Sequence, residues 1–309
     1  MSVLFVTDDI FLSHDTGPGH PESIDRIRSV NDALADEDFS GLLRRVAVDA
    51  TDEQMAAPHS EQLVQAILEA APDNGYRHVD PDTVMSPDTG EAIRKGAGAL
   101  VSAVDAVVTG EAASAFCAVR PPGHHAERGR PMGFCLVNNV AVAALHARAQ
   151  HGLTKIAVVD FDVHHGNGTQ DIFWNDPDLF FASSHQYPHY PGTGASDESG
   201  AHGNIVNAPL PAGTDGGGFR KAFERDILPA LDSFAPDFVL ISAGFDGHKD
   251  DPLSDMGLEE DDFFWATRQI LAVAHRHADG RVVSALEGGY NLRALGASAA
   301  AHVKALMKG

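Results

Sequence analysis

Cysteines, long apolar runs and a basic N-terminal segment are scarce or missing in this 309-residue sequence. The two cysteines, Cys117 and Cys135, are too few for a disulfide framework and have no partner at zinc-finger spacing, which favours a reducing cytoplasm. No apolar stretch approaches the length of a membrane helix, and no basic segment precedes the first apolar run, as it would in a signal peptide. We therefore expect a cytoplasmic protein without a membrane partner.

Basic residues are also few, since 22 lysines and arginines stand against 44 aspartates and glutamates, which gives a net charge of -22. So acidic a chain is unsuited to the phosphate backbone of nucleic acids and favours cationic or neutral partners. An acidic surface that serves only solubility is the simpler explanation and carries more weight. The net charge therefore argues against nucleic acids as partners without identifying another class of partner.

Several apolar runs have the length and the β-branched or aromatic content of buried strands, and helical patterns separate some of them. The predicted strands are Val3–Val6, Ala115–Val119, Ile156–Val159, Leu179–Ala182, Phe238–Ile241 and Val282–Leu286. The predicted helices are Gly96–Val108, Asn139–Gln150, Phe219–Phe234 and Asp261–His277. This alternation predicts an α/β fold with a parallel sheet covered by helices. Because the chain has no internal repeat or linker-like segment, we expect one domain over residues 1–309.

Four of these strands run directly into segments that contain acids, imidazoles or a phenol. The segments are Arg120–His125, Asp160–His165, Ser242–His248 and Glu287–Asn291. Because the carboxyl ends of parallel strands form the ligand-binding edge of an open sheet, such segments can converge there. Taken singly, each has an ordinary explanation, such as a helix N-cap for an aspartate or a turn for Gly-Gly. Together, at four strand ends, they predict a functional site.

The stretch from Asp160 to Gln170, with the sequence DFDVHHGNGTQ, is the most informative of all. In an extended chain successive side chains alternate between two faces, so Asp160, Asp162 and His164 would project to one side. Carboxylate oxygens and an imidazole nitrogen would then converge at the end of a strand. A bound metal ion explains this grouping, because unpaired buried carboxylates are costly.

The sequence resembles the zinc-dependent histone deacetylase family over almost its whole length. The resemblance rests on five segments in the family's order, namely His14–Glu22, Arg120–Cys135, Asp160–Gln170, Ala243–Asp246 and Glu287–Asn291. Asn167 and Asp251–Leu253 resemble the class II branch and its bacterial amidohydrolase relatives more than class I. The resemblance implies a single-domain, three-layer α/β/α arginase-like fold with a central parallel sheet of about eight strands.

By this resemblance, Asp162, His164 and Asp246 correspond to the ligands of one catalytic zinc ion. Two carboxylates and a neutral imidazole roughly balance the charge of the ion and leave positions open for water and substrate. The resemblance also implies a structural potassium ion, a hard cation that oxygen ligands suit. The groups that correspond to its site are Asp160, the backbone of Asp162, His164 and Ser184, and the hydroxyl of Ser183.

The resemblance further implies catalytic roles. His124 and His125 correspond to tandem histidines, with His125 as general base and then acid, and Tyr290 corresponds to the phenol that hydrogen-bonds the substrate carbonyl. Asp160 corresponds to the acid partner of His124, and Asn167 to the amide partner of His125. A carboxylate raises the pKa of an imidazole more than an amide does, so we expect Asn167 to keep His125 less basic.

Phe134 and Tyr190 correspond to the aromatic pair that walls the family's acyl-lysine tunnel, although ordinary core packing is the alternative for each. The other substrate-binding residues that the resemblance implies are Gly133, Leu253, Gly288 and Gly289. The family's opening motif carries a proline where this chain has Ser23–Asp25. The resemblance therefore does not decide whether Arg26 lies at an internal channel through which acetate leaves. Three histidines in or near the distinctive segment 187–203 are expected at the rim of the tunnel rather than in a second metal site, namely His185, His189 and His202.

The resemblance thus implies an amidohydrolase that uses metal-activated water to remove an acetyl or related short acyl group from an Nε-lysine or comparable primary amine. Its expected partner is an acylated lysine of a protein or peptide, or an acetylated polyamine, and the sequence is compatible with a homo-oligomer. An acetylpolyamine amidohydrolase is the alternative, which the lack of a long entrance-narrowing insertion disfavours. A non-catalytic acyl-group sensor is disfavoured because Tyr290 and His124 are retained. Two-metal hydrolysis of the arginase type would need more Asp and His ligands.

Overall fold

The computed structural model describes residues 2–309, and its centre is a parallel sheet of eight strands. In chain order these are β1 (Val3–Thr7), β2 (Leu43–Val46), β5 (Ser114–Cys117), β6 (Ile156–Asp160), β7 (Leu179–Gln186), β8 (Ile205–Leu210), β9 (Phe238–Ala243) and β10 (Val282–Leu286). Their order across the sheet is β2-β1-β5-β10-β9-β6-β7-β8. A separate antiparallel pair consists of β3 (Arg77–Asp80) and β4 (Thr83–Met85).

Helices surround the sheet. They are α1 (Ile24–Ala33), α2 (Asp52–Ala56), α3 (Glu61–Ala70), α4 (Thr89–Val108), α5 (Asn139–His151), α6 (Asn167–Phe173), α7 (Gly216–Ala222), α8 (Leu228–Phe234), α9 (Glu260–His277) and α10 (Leu292–Lys308). A π-helical segment, Phe223–Ile227, joins α7 to α8, and short 3-10 helices cover Asp9–Leu12 and Glu37–Phe39. No helix within residues 2–309 combines the length and apolar character needed to span a membrane.

The middle four strands, β5, β10, β9 and β6, consist entirely of buried residues. Helices α4 and α5 pack on each other and on these strands, and α1, α9 and α10 form a second packed group. Burial of this kind explains why these strands are continuous apolar runs rather than alternating patterns. The predicted α/β fold with a central parallel sheet of about eight strands is confirmed. The prediction of a single domain over 1–309 stays a prediction.

All of the predicted strands and helices are present, but the edges of the sheet escaped prediction. Strand β2 at one edge has no buried residue, so it lacks an apolar run. Strand β8 at the other edge includes Asn207 and Pro209, which interrupt the apolar pattern from which a strand is predicted. The sequence pattern also missed β3, β4 and the helices α1, α2, α3, α6 and α10.

The extended conformation predicted for Asp160–His164 is wrong. Strand β6 ends at Asp160, and the chain then bends. Each bend is held by a carboxylate, since Asp160 Oδ1 accepts from the Asp162 N–H at 3.0 Å and Asp162 Oδ1 accepts from the His164 N–H at 2.9 Å. Such side-chain-to-backbone bonds two residues apart are typical of aspartate in turns. The acids therefore shape the loop that carries them.

Candidate active site

The site lies at the carboxyl edge of the sheet. Strands β6, β7 and β9 reach this edge at one level, because Asp160 is in register with Ser183 of β7 and with Ser242 of β9. Hydrogen bonds then join the segments that follow β5, β6, β9 and β10. The predicted convergence of these four segments is confirmed.

Asp162, His164 and Asp246 form a buried cluster in which one potential ligand atom from each lies within 4.8 Å of the others. The Nδ1 atom of His164 is 3.1 Å from Asp162 Oδ1 and 3.1 Å from Asp246 Oδ2. Both aspartates are completely buried. Two carboxylate oxygens and one imidazole nitrogen are a donor set that zinc accepts.

The surroundings of the cluster also suit a cation. Burial lowers the pKa of His164, but Asp162 and Asp246 outweigh it and raise the pKa to about 10, so the carboxylates favour positive charge between them. Gly244 and Gly288 pack directly on the carboxylates, since a Cβ at either would lie 2.0 Å from an aspartate oxygen. The Gly288 N–H also donates to Asp162 Oδ2 at 2.7 Å. The residues present therefore fit a zinc ion.

His124 is a buried imidazole beside the cluster. Its Nδ1 lies 2.9 Å from Asp160 Oδ2, and its Nε2 lies 3.9 Å from Asp162 Oδ1. Burial lowers the pKa of His124, but the two carboxylates outweigh it and hold the pKa well above the ordinary value. Glu287 Oε2 fixes the adjacent backbone by accepting from the N–H groups of Gly123 at 2.7 Å and His124 at 3.2 Å. The charged form of His124 is thus favoured.

His125 has the opposite electrostatic environment. Burial lowers its pKa, and the neighbouring His124 and His164 lower it further, to well below the ordinary value. Its Nδ1 lies 2.8 Å from Asn167 Oδ1, and the Asn167 amide is oriented by donating from Nδ2 to Glu127 Oε1 at 2.7 Å. Asn167 therefore accepts from the His125 Nδ1–H group. This tautomer leaves the Nε2 atom of His125 unprotonated.

Tyr290 is half-buried and lies beneath Arg26, whose guanidinium carbon is 5.0 Å from the centre of the phenol ring. Arg26 donates to Gly289 O at 2.6 Å, to Glu22 Oε1 at 2.8 Å and to the carbonyl of Glu287. Burial raises the pKa of Tyr290 well above its ordinary value, and the charge of Arg26 only partly offsets this. The phenol therefore keeps its proton and can donate a hydrogen bond.

This arrangement agrees with the comparisons, in which residues 20–306 match the model of the histone deacetylase domain. The chain belongs to the histone deacetylase family. It is 36% identical over 312 residues to a histone deacetylase-like amidohydrolase of Pseudomonas aeruginosa, with 93% of this chain and 81% of that protein covered. It is 37% identical over 288 residues to a probable deacetylase of Archaeoglobus fulgidus, with 91% and 79% covered.

A solved structure supports the same assignment. The crystal structure of the HDA15 HD domain is similar to this histone deacetylase family member with a TM-score of 0.94 and 36% sequence identity. The similarity covers 99% of this chain and 88% of that one. The resemblance inferred from the sequence is therefore confirmed.

The aromatic residues predicted to wall a tunnel in this family member contact the catalytic candidates. The Tyr190 ring meets His125 edge-on with centroids 5.3 Å apart, and the Phe134 ring meets Tyr290 edge-on at 5.9 Å. Tyr190 is 38% exposed, which excludes ordinary core packing for it. Gly133 has a φ of +58°, and a Cβ there would lie 2.4 Å from His125 Cδ2, so a side chain would displace the imidazole.

The three histidines predicted at the rim have different environments. His189 lies at the site as predicted, with its ring stacked on His164 at 5.0 Å and its Nε2 3.0 Å from the carbonyl of the half-buried Leu253. The rim prediction for His185 is wrong, because His185 is buried and its Nε2 donates to Gly194 O at 2.9 Å, holding the following loop. His202 is exposed.

The residues predicted to hold potassium lie at the end of β6, in the turn that follows it, and within β7. The donation of His185 to the loop leaves its Nδ1 to accept from Ser183 Oγ at 2.9 Å, so the lone pairs of that hydroxyl stay free. The hydroxyl of Ser184 is buried without a hydrogen-bond partner, but it projects from the opposite face of β7. The Ser183 hydroxyl, which is in register with Asp160 across the sheet, therefore offers a free oxygen that suits a hard cation.

Three acidic residues hold site residues in place but have no predicted role in the sequence, namely Glu127, Glu287 and Asp251. Glu287 follows a buried strand within the Glu-Gly-Gly-Tyr run, and burial raises the pKa of its carboxyl to about 7. Asp251 lies in the Asp251–Leu253 run that contributes to the resemblance described from the sequence. Glu127 had no sequence signal, because its contact with Asn167 is set only by the folded loop.

Proposed function

We propose that this protein is a zinc-dependent deacetylase that hydrolyses the amide of Nε-acetyl-lysine or of a related acylated primary amine. The observation that carries the proposal is the cluster of Asp162, His164 and Asp246 beside a neutral imidazole. The ring centroid of His125 lies 6.0 Å from that of His164. A group that can hold a metal cation therefore lies next to a base that can accept a proton from water.

When bound by these three residues, zinc would polarise the acyl carbonyl and lower the pKa of the attacking water. His125 accepts the proton of that water at Nε2, because its Nδ1–H is committed to Asn167. The low pKa of His125 keeps this nitrogen unprotonated at neutral pH. The imidazolium so formed then protonates the leaving amine.

Tyr290 and His124 stabilise the charge that develops during this attack. The protonated phenol of Tyr290 donates to the carbonyl oxygen, more strongly once that oxygen becomes negative. His124, kept positive by Asp160, contributes a fixed charge on the same side as His125, whose ring is 4.0 Å away. Potassium bound near Asp160 and Ser183 would hold the loop that carries the zinc ligands, and the free lone pairs of the Ser183 hydroxyl beside Asp160 support this.

The proposed substrate is an acylated lysine of a protein or peptide, because the chain has no long insertion that would narrow the entrance for a slender polyamine. We expect kcat/KM to be at least about tenfold higher for an acetyl-lysine peptide than for an acetylated polyamine or a long-chain acyl-lysine peptide. The measurement is a comparison of initial rates on the three substrates, with and without a chelator. Preference for the polyamine would instead identify an acetylpolyamine amidohydrolase.

Asn167→Asp should move the acidic limb of the pH dependence of kcat/KM to higher pH by about one unit or more. The new carboxylate would lie 2.8 Å from His125 Nδ1 and raise the pKa of the base, which must be unprotonated to act. The pH–rate profile measures this limb. Asn175→Asp, the same change at an exposed residue, is the matched control. An unmoved limb in Asn167→Asp would show that Asn167 does not tune His125.

A further inference from the structure

Asp251 is a buried carboxylate, 6% exposed, that accepts three backbone hydrogen bonds next to the site. Its Oδ2 accepts from the N–H groups of Tyr290 at 2.7 Å and Asn291 at 3.2 Å. Its Oδ1 accepts from the N–H of Leu253 at 3.0 Å. One side chain thus joins the loop after β9 to the segment after β10.

The backbone of Tyr290 needs an anchoring hydrogen bond because two glycines precede it. Gly289 has a φ of +124°, a conformation that side-chain-bearing residues rarely adopt, and glycine has the greatest backbone freedom of all residues. The direction in which the chain leaves Gly289 is therefore not fixed by local sterics. Arg26 holds the carbonyl of Gly289, and Asp251 holds the next N–H, that of Tyr290.

The hydrogen bonds that Asp251 accepts are not explained as N-capping of helix α10. The N-cap of this helix is Asn291, whose own Oδ1 accepts from the N–H of Ala294 at 3.1 Å. The shorter of the two Oδ2 bonds of Asp251 goes to Tyr290, one residue before the cap. A carboxylate is a stronger acceptor than a neutral group, so this bond is suited to holding a backbone in one place.

We propose that Asp251 is a positioning residue that fixes the Tyr290 phenol for donation to the reacting carbonyl. This inference rests on the proposed function, since it concerns how the donor is placed. Misplacement of a catalytic group by about 1 Å can cost about a hundredfold in rate. Asp251 therefore acts on turnover through Tyr290 and not through the metal ligands.

The first test, amide hydrogen exchange, does not depend on enzymatic activity. Asp251→Asn replaces one acceptor oxygen by an NH2 group, so we expect the amide of Tyr290 to exchange with deuterium at least about tenfold faster than in the parent protein. Asp237→Asn is the matched control, because Asp237 Oδ2 also accepts two consecutive N–H groups, those of Thr154 at 2.9 Å and Lys155 at 2.8 Å, away from the site. Unchanged exchange at Tyr290 in Asp251→Asn would overturn the proposal whether or not the protein is a deacetylase.

The second test is a double-mutant cycle of the zinc-loaded protein with an acetyl-lysine peptide. We expect Asp251→Asn to lower kcat about tenfold to a hundredfold with KM changed less than about threefold. In a Tyr290→Phe background the same change should have almost no further effect. An equal loss in both backgrounds would contradict positioning through Tyr290. Asp251→Glu is tested in parallel, and failure of both Asp251 variants to fold while Asp237→Asn folds would make Asp251 a folding residue and overturn the proposal.

Discussion

Asp246→Asn is expected to lower kcat/KM for an acetyl-lysine peptide by about a thousandfold or more. Asp246 Oδ2 lies 3.1 Å from His164 Nδ1, and its Oδ1 accepts from the Val163 N–H at 2.9 Å. The amide keeps the shape of the side chain but removes the negative charge that would bind the metal. The loss should therefore appear both as reduced zinc content at equal protein concentration and as reduced turnover.

The control for this prediction is a second cluster of metal-capable side chains in the described part of the chain. Asp105 Oδ1 on α4 lies 2.7 Å from the Nε2 atoms of both His146 and His151. Asp105→Asn makes the same chemical change there, so it should leave kcat/KM within about threefold of the parent protein. If Asp105→Asn abolished activity and Asp246→Asn did not, the catalytic metal would have been assigned to the wrong cluster.

Tyr290→Phe is expected to lower kcat about a hundredfold to a thousandfold while KM changes by only a few fold. The reason is that the phenol donates to an oxygen whose negative charge exists mainly in the transition state. Because burial holds the pKa of Tyr290 well above its ordinary value, the donor is intact throughout the neutral range. Steady-state kinetics at several pH values measure both parameters.

Tyr76→Phe is the matched control, since the Tyr76 hydroxyl donates to Asp15 Oδ2 at 2.7 Å outside the site. It should alter kcat by less than about twofold. Turnover that survived Tyr290→Phe would remove the phenol from the mechanism. Binding of acylated peptides without turnover in the parent protein would favour the non-catalytic sensor.

Much of the fold followed from the sequence because its centre consists of apolar strands buried on both faces. The edge strands did not, since Leu43–Val46 has no buried residue and relies on pairing with β1 through the backbone. Backbone pairing of this kind leaves little trace in residue type. Hydrophobic patterning therefore predicts the central strands of a sheet better than its edge strands.

The candidate site shows a similar division. Side chains that bear the chemistry, such as His125 and Asp162, were evident from motifs at strand ends. Their supports were not, because Glu127 and Asp251 act through contacts between loops that only folding brings together. The prediction for His185 is wrong for the same reason, since its neighbours in sequence suggest a loop at the mouth of the site whereas it lies buried in β7.

We propose that amide hydrolysis requires a single metal ion held by Asp162, His164 and Asp246. The most direct measurement is a titration of zinc into the chelator-treated protein, with the rate of acetyl-lysine peptide hydrolysis and bound zinc followed together. We expect almost no activity without metal, recovery that is complete at about one equivalent, and no recovery in Asp246→Asn. Full activity of the metal-free protein would contradict this proposal.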